Sequence, residues 1–122
     1  MDTQAHRKKF QKELSAGVVA LVLLDTLARA QAPLYGYQIA KLLESDDDGA
    51  LLRKQSALYP VLRNLEAAEL LASSFEASEM GPPRRYYAIT DLGRAVLLQW
   101  RQQWRATVDF VDSQLHATGA KP

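Results

Sequence analysis

The chain of 122 residues contains no cysteine, which excludes a disulfide framework and any thiolate chemistry and suits a reducing, cytoplasmic setting. Histidine is nearly absent as well. His6 and His116 lie near opposite ends of the chain, so neither is positioned for catalysis or for zinc. Glycine does not gather into a phosphate-binding loop, since Gly36 and Gly49 stand alone. No pair of side chains meets the nucleophile–base requirement, and an enzyme is not expected. Long apolar runs are missing too. The longest stretch, Ala16 to Leu24, is cut by Asp25 and falls far short of the ~20 residues that cross a bilayer. The basic N-terminal residues are not followed by a small-residue cleavage site. The expectation is a soluble cytoplasmic protein without a membrane partner. Charge of one sign is also lacking: 15 Lys and Arg stand against 14 Asp and Glu, a formal net charge of +1. Dedicated nucleic-acid binders often carry a clear basic excess. Here the distribution matters more than the sum, because Arg7, Lys8, Lys9 and Lys12 crowd the start while Asp46, Asp47 and Asp48 offset charge elsewhere.

What is present is apolar residue at helical spacing, 48% of the chain by the broad count, enough for one core-bearing domain. From about Phe10 to Ala30, Leu14, Val18, Leu21, Val22 and Leu24 are dense enough to make the middle of a helix apolar nearly all round, as at a core or an interface. Gly17 costs such a helix ~1 kcal/mol relative to Ala, so close approach of another backbone is expected there. Pro33 ends the segment. A short second helix is expected over about Tyr35 to Glu44, with Ile39, Leu42 and Leu43 as its buried stripe, before the turn Ser45-Asp-Asp-Asp-Gly49. Ser56 is a good N-cap for a third helix running to about Glu69. Its Leu58, Val61, Leu62 and Leu65 make one face, and Ser56, Tyr59, Pro60, Arg63 and Ala67 make the other. Leu71 to Glu76 and Arg84 to Ile89 have strand character, with a hairpin loop ending in Met80-Gly-Pro-Pro83 between them. Thr90 caps a last helix from about Asp91. On that helix Leu97, Trp100, Trp104, Val108, Val111 and Leu115 form a narrow seam at steps of three and four, the spacing of paired helices, and Arg94, Arg101, Arg105 and Asp112 form the outer face.

The order helix, helix, helix, strand, strand, helix is that of a winged helix-turn-helix with a C-terminal dimerisation helix. The fold class is therefore mainly α with a small β-hairpin. Residues 1–90 form the N-terminal helix and winged region, and residues 91–122 the dimerisation helix and tail, within one compact domain. A recognition helix lays one face in the major groove while the body holds the other. The third helix has that division: Tyr59 and Arg63 lie one turn apart, and Ser56 sits at the N-terminus, whose free N–H groups favour a phosphate. An ordinary amphipathic helix with Tyr59 half-buried at a domain edge has the same periodicity. Arg84 and Arg85 follow the stiff turn of the hairpin and can straddle the backbone or enter the minor groove. The alternative is a solvated loop whose arginines stack on Tyr86 or Tyr87. A recognition-type helix followed at once by such a hairpin is more specific than either part.

Three motifs, Leu34-Tyr-Gly-Tyr-Gln-Ile39, Ser56-Ala-Leu-Tyr-Pro-Val-Leu-Arg-Asn-Leu-Glu66 and Arg84-Arg-Tyr-Tyr-Ala-Ile-Thr-Asp-Leu-Gly-Arg94, resemble the PadR family pattern in order and spacing, over roughly Leu14 to Leu115. The resemblance implies a dimeric winged-helix regulator acting on double-stranded operator DNA, usually a repressor released by a small molecule. It implies that Ser56, Tyr59 and Arg63 lie on the DNA-facing helix, with Arg84 and Arg85 at the wing base. The short C-terminal part resembles the subgroup that dimerises through a single helix. Where the family often has an arginine after the wing glycine, this chain has Pro82, which removes a phosphate contact and stiffens the tip.

Leu97, Trp100, Trp104, Val108 and Val111 are the candidates for a dimer interface or effector site. Across a two-fold axis Trp100 and Trp104 would gather four indoles, walls that suit a small, flat aromatic effector. Simple interface packing is the plainer account of them. Glu44-Ser-Asp-Asp-Asp-Gly49 shadows a calcium loop, but the first position is Glu and the closing Glu is replaced by Gln55. A solvated acidic turn is expected, with no metal and no cofactor. The rival reading is a protein-binding adaptor that keeps the winged-helix fold without significant DNA affinity.

Overall fold

The computed structural model describes residues 3–43 and 57–119. The Ser56 cap, the acidic turn from Glu44 to Gly49 and Gln55 lie outside the described residues. The first helix, α1, runs from Gln4 to Arg29. It begins earlier than the apolar period suggests because Gln4 to Lys9 are mostly good helix formers, although all of them are exposed. It stops where Ala30 turns to extended backbone. Only its second half enters the core, through Val19, Leu23, Leu24 and Leu27. Thr26, buried among them, satisfies its hydroxyl by donating to the Val22 carbonyl at 2.8 Å. A Cβ on Gly17 would meet nothing within 4 Å. The expected close backbone approach is therefore absent within the chain, because α1 has not yet reached the body at that point.

After α1 the chain forms a two-residue strand, β1 (Leu34–Tyr35), then α2 (Gly36–Leu42). The Tyr35 N–H donates to the Gln38 side chain at 3.1 Å, capping the start of α2. Helix α3 spans Leu58–Ala67 and buries Leu58, Leu62 and Leu65. It ends in a turn in which Leu70 N–H donates to Leu65 O and Glu69 N–H to Glu66 O, both at 2.9 Å, with Glu69 in the left-handed region at φ 65°. This is the Schellman arrangement, with Glu in the place that glycine favours. Strands β2 (Leu71–Glu76) and β3 (Arg84–Ile89) follow at the residues expected from the sequence. The sheet is antiparallel with order β1-β3-β2, Leu34 and Tyr35 pairing with Tyr87 and Tyr86, and β2 running from Leu71 opposite Ile89 to Glu76 opposite Arg84.

The last helix, α4, covers Asp91–Gly119. Thr90 caps it as expected, accepting the Gly93 N–H at 2.9 Å. The same hydroxyl donates to the Glu69 carbonyl at 2.7 Å, and Thr90 N–H donates to Leu70 O at 3.1 Å, so the end of α3 and the start of α4 are stitched together. Gly93 is needed there, since a Cβ would lie 2.2 Å from the Leu70 carbonyl oxygen. The core gathers Val19, Leu23, Leu24, Leu27, Ile39, Leu58, Leu62, Leu65, Leu70, Leu71, Tyr87 and Leu97. Leu97, at 3% exposure, thus belongs to the chain's own core and not to an interface. Periodicity placed it on the seam, but α4 lies on the body at that turn.

Beyond Trp100, which packs half-buried on the core, α4 leaves the body. The outer face also differs from expectation. Arg101 pairs with Asp25 on α1, which also pairs with Arg29 at 2.9 Å, and Arg94 donates to the Ala28 carbonyl at 3.4 Å. Both arginines therefore lie along α1. Burial raises the pKa of the Asp25 carboxyl, but the hydrogen bonds and charges of Arg101 and Arg29 outweigh it and hold the group below its ordinary value. No helix among the described residues is long and apolar enough to cross a membrane.

Candidate nucleic-acid interface

With Leu58, Leu62 and Leu65 turned inward, α3 presents Pro60, Arg63, Asn64 and Ala67 to solvent. Tyr59 is half-buried at the edge of this face, its ring packed on the first residue of α2. A Cβ on Gly36 would meet the Tyr59 hydroxyl at 2.5 Å and its ring at 2.6 Å. Glycine at 36 therefore lets the start of α3 sit against the start of α2, which brings the two helices into the helix-turn-helix arrangement. Of the sequence-derived site residues, Arg63 is exposed and Tyr59 borders it. Ser56 lies outside the described residues.

Alternation along β3 divides the two arginines. Successive side chains of a strand point to opposite faces, so Arg85 shares the face of buried Tyr87 and half-buried Ile89, while Arg84 shares that of Tyr86 and Ala88. On the outer face the Arg84 guanidinium lies over the Tyr35 ring, 4.6 Å from its centroid. Tyr86 meets Tyr35 edge-on at 5.2 Å, and Tyr37 stacks beside it at 6.5 Å. Lys41 lies 6.0 Å from the Tyr37 ring. The result is a strip of phenol rings, Tyr37, Tyr35 and Tyr86, with Lys41 beside the first and Arg84 over the middle one, running from the start of α2 to the base of the wing. Sequence reasoning found the motif Leu34-Tyr-Gly-Tyr-Gln-Ile39 but gave Tyr35 and Tyr37 no role. The signal available was two tyrosines flanking a glycine, followed by Lys41.

Arg85 is turned the other way. Its Nε donates to Ser73 Oγ at 3.0 Å, its Nη2 to Glu66 Oε1 at 2.9 Å, and the Ser73 hydroxyl donates to Glu66 Oε2 at 2.6 Å. The Phe75 and Tyr87 rings lie 5.3 and 5.8 Å from the guanidinium carbon. Burial raises the Tyr87 phenol above its ordinary pKa, against the opposing pull of Arg85. The expectation that Arg85 stands open beside Arg84 is corrected by this geometry, since strand alternation gives it the inner face. Nor is the hairpin tipped with arginine. The tip, residues 77–83, is held by Ser78 Oγ donating to the Gly81 and Pro82 carbonyls at 3.1 and 2.9 Å. It carries Glu79 and a Met80 that is 90% exposed, and no cation.

A short helix packed on an exposed one, a hairpin and a long terminal helix match a known family. Residues 23–99 match the model of the transcriptional regulator PadR-like family. The chain belongs to the PadR-like family. Solved structures agree along nearly its whole length. A PadR family transcriptional regulator from Eggerthella lenta is 32% identical, with TM-score 0.73 over 91% of this chain and 93% of that one. A PadR-like transcriptional regulator from Bacillus cereus is 28% identical, with TM-score 0.65 over 84% and 96%. An uncharacterised protein of Lysinibacillus sphaericus is 30% identical over 78 residues, 64% of this chain and 72% of that protein. This PadR-like chain is thus a winged-helix, DNA-binding transcriptional regulator. Among the described residues no group of His, Asp and Glu is placed to hold a metal.

Proposed function

We propose that the chain is a repressor that binds operator DNA as a homodimer, with Arg63 and Tyr59 entering the major groove and Arg84 reaching phosphate from the wing base. The observation that carries this reading is the exposed Arg63 with Tyr59 at its edge on α3, whose leucines are held in the core, together with Arg84 exposed at the base of the wing. Ser56 is assigned to the same interface from the motif. Two copies pair through the exposed apolar residues of α4, with Trp104, Val108 and Val111 at the seam and Trp100 at its inner end. That pairing directs the protein to a pseudo-palindrome with half-sites about one or two helical turns apart. A planar aromatic effector held between the Trp100 and Trp104 indoles would release it. Quenching of tryptophan fluorescence by such a ligand supports that part, and a panel of planar ligands that leaves it unchanged removes it.

The main test is a mobility shift with DNA upstream of the protein's own gene, repeated over a range of salt. Binding is expected to be tight at low salt and to fall steeply as salt rises. Arg63→Ala is expected to weaken it and lower the salt slope by about one unit. The cation-free tip and the inward Arg85 favour the adaptor as the second reading. Indifference to DNA at every salt, together with a protein that co-purifies, establishes the adaptor instead.

A further inference from the structure

We infer that Glu66, Ser73 and Arg85 form a clamp that sets the wing at a fixed angle to α3, and that Glu66 and Arg85 are positioning residues for DNA binding and not contacts to it. The inference rests on the DNA-binding reading above. The three side chains come from three elements, α3, β2 and β3, and close a ring. Arg85 donates to both of the others, and the Ser73 hydroxyl, while accepting from Arg85, donates to the second oxygen of Glu66. Each carboxylate oxygen therefore has a donor, and the planar guanidinium spends two different nitrogens on two elements, a fork geometry that lysine cannot reproduce. Phe75 and Tyr87 flank the guanidinium. Phe75 is paired with Arg85, one position before the last pair, Glu76 with Arg84, where the hairpin leaves the body. The clamp therefore holds β3 one pair from the wing's exit, at Arg85, and β2 at Ser73, beyond the Leu70 turn that joins it to α3. Two such fastenings fix an angle where one would leave a pivot.

Charge alone makes the opposite prediction. Glu66 is an acid on the helix that faces DNA, and removing it should relieve repulsion from phosphate and tighten binding. A clamp predicts weakening. The experiment uses the full chain and a duplex selected by the wild type from random sequence, with dissociation constants measured across a salt series. Glu66→Ala is expected to weaken binding about fivefold to tenfold, the net scale of one hydrogen bond. Ser73→Ala, which changes no charge, is expected to weaken it in the same direction by less. Glu66→Gln keeps acceptors for its partners and is expected to fall between wild type and Glu66→Ala. In a hydroxyl-radical footprint the wing-side protection should fade, while protection of guanine N7 in the major groove from methylation by dimethyl sulfate persists. General loss of structure would not produce that split. If Glu66→Ala does not fold, Ser73→Ala decides by the same two readouts. A wild type that binds while these variants bind as tightly, with unchanged footprints, overturns the clamp alone. A wild type that binds no duplex overturns the DNA-binding reading with it.

Discussion

Two stretches of α4 continue one helix and one apolar period, yet they meet opposite surroundings. From Asp91 to Trp100 the helix lies on the body: Gly93 presses on the Leu70 carbonyl, Leu97 is buried, and Val96 and Trp100 pack half-buried on the core. From Arg101 onward the apolar residues continue, but Trp104 is 41% exposed, and Phe110, Val111 and Leu115 stand open as well. Helix α1 shows the same division in reverse, with Phe10 and Leu14 exposed ahead of the buried Val19 to Leu27. Period reports that a helix face seeks cover. It does not report whether the cover is the same chain or another. The contrast between the covered and the open stretch is what separates a core from a candidate interface here.

The strongest way to break the covered stretch is Gly93→Ala. A methyl group would have to occupy space 2.2 Å from a backbone oxygen that cannot swing away. A loss of about 3 kcal/mol or more is expected, at the upper end of overpacking costs, read from a denaturant melt. Glycine-to-alanine in an exposed helix normally stabilises, so a more stable variant would contradict the contact.

In the open stretch the expected effect is on assembly. Val111→Glu should shift the mass in sedimentation from two chains to one without altering the near-ultraviolet signal of the body. An unchanged mass would mean that Val111 is not covered by a second copy. Asp25 marks the border between the stretches, where Arg101 makes the contact with α1 before α4 leaves the body. Its carboxyl has a folded-state pKa below the ordinary value. Its contribution is therefore complete above the ordinary carboxylate range and is lost as pH falls through the lowered value. Asp25→Asn should cost about 1 kcal/mol or less at neutral pH, as expected of partly exposed pairs. The gap between the two melting curves should close in acid. The smallest effect is expected at Glu69, whose left-handed backbone is strained for any side chain. Relief of about 1 kcal/mol in Glu69→Gly is largely offset by the chain entropy of glycine, leaving a slight rise in melting temperature.

Much of this fold could be read from the residues. Phe75, Tyr86, Tyr87 and Ile89 gave the two runs strand character, Met80-Gly-Pro-Pro83 ended the loop between them, and Thr90 with Asp91 marked the start of α4. Strand β1 was not legible, because two residues carry no period and Leu34–Tyr35 is extended only through pairing with β3. At the candidate site, the face carrying Tyr59 and Arg63 followed from the leucines opposite it. The parting of Arg84 from Arg85 was available in principle, since Arg85, Tyr87 and Ile89 alternate with Arg84 and Tyr86. The partners of Arg85 were not, because Glu66 and Ser73 lie 19 and 12 residues away and only the sheet register brings them together. Leu97 was misassigned to the interface for the reason α4 illustrates: a seam looks the same on either side of the point where a helix leaves its core.

Leu70 gives the short link between α3 and β2 a mechanical character. Its N–H is tied to Leu65, its carbonyl receives Thr90, and Gly93 rests against that same oxygen. The joint between α3 and α4 is thus welded where a loop would have left slack. In the proposed two-fold pair, the separation of the two copies of α3 would be governed by the angle at which the two α4 helices cross, and a few degrees of rotation there would be magnified into a mismatch with the pitch of the duplex.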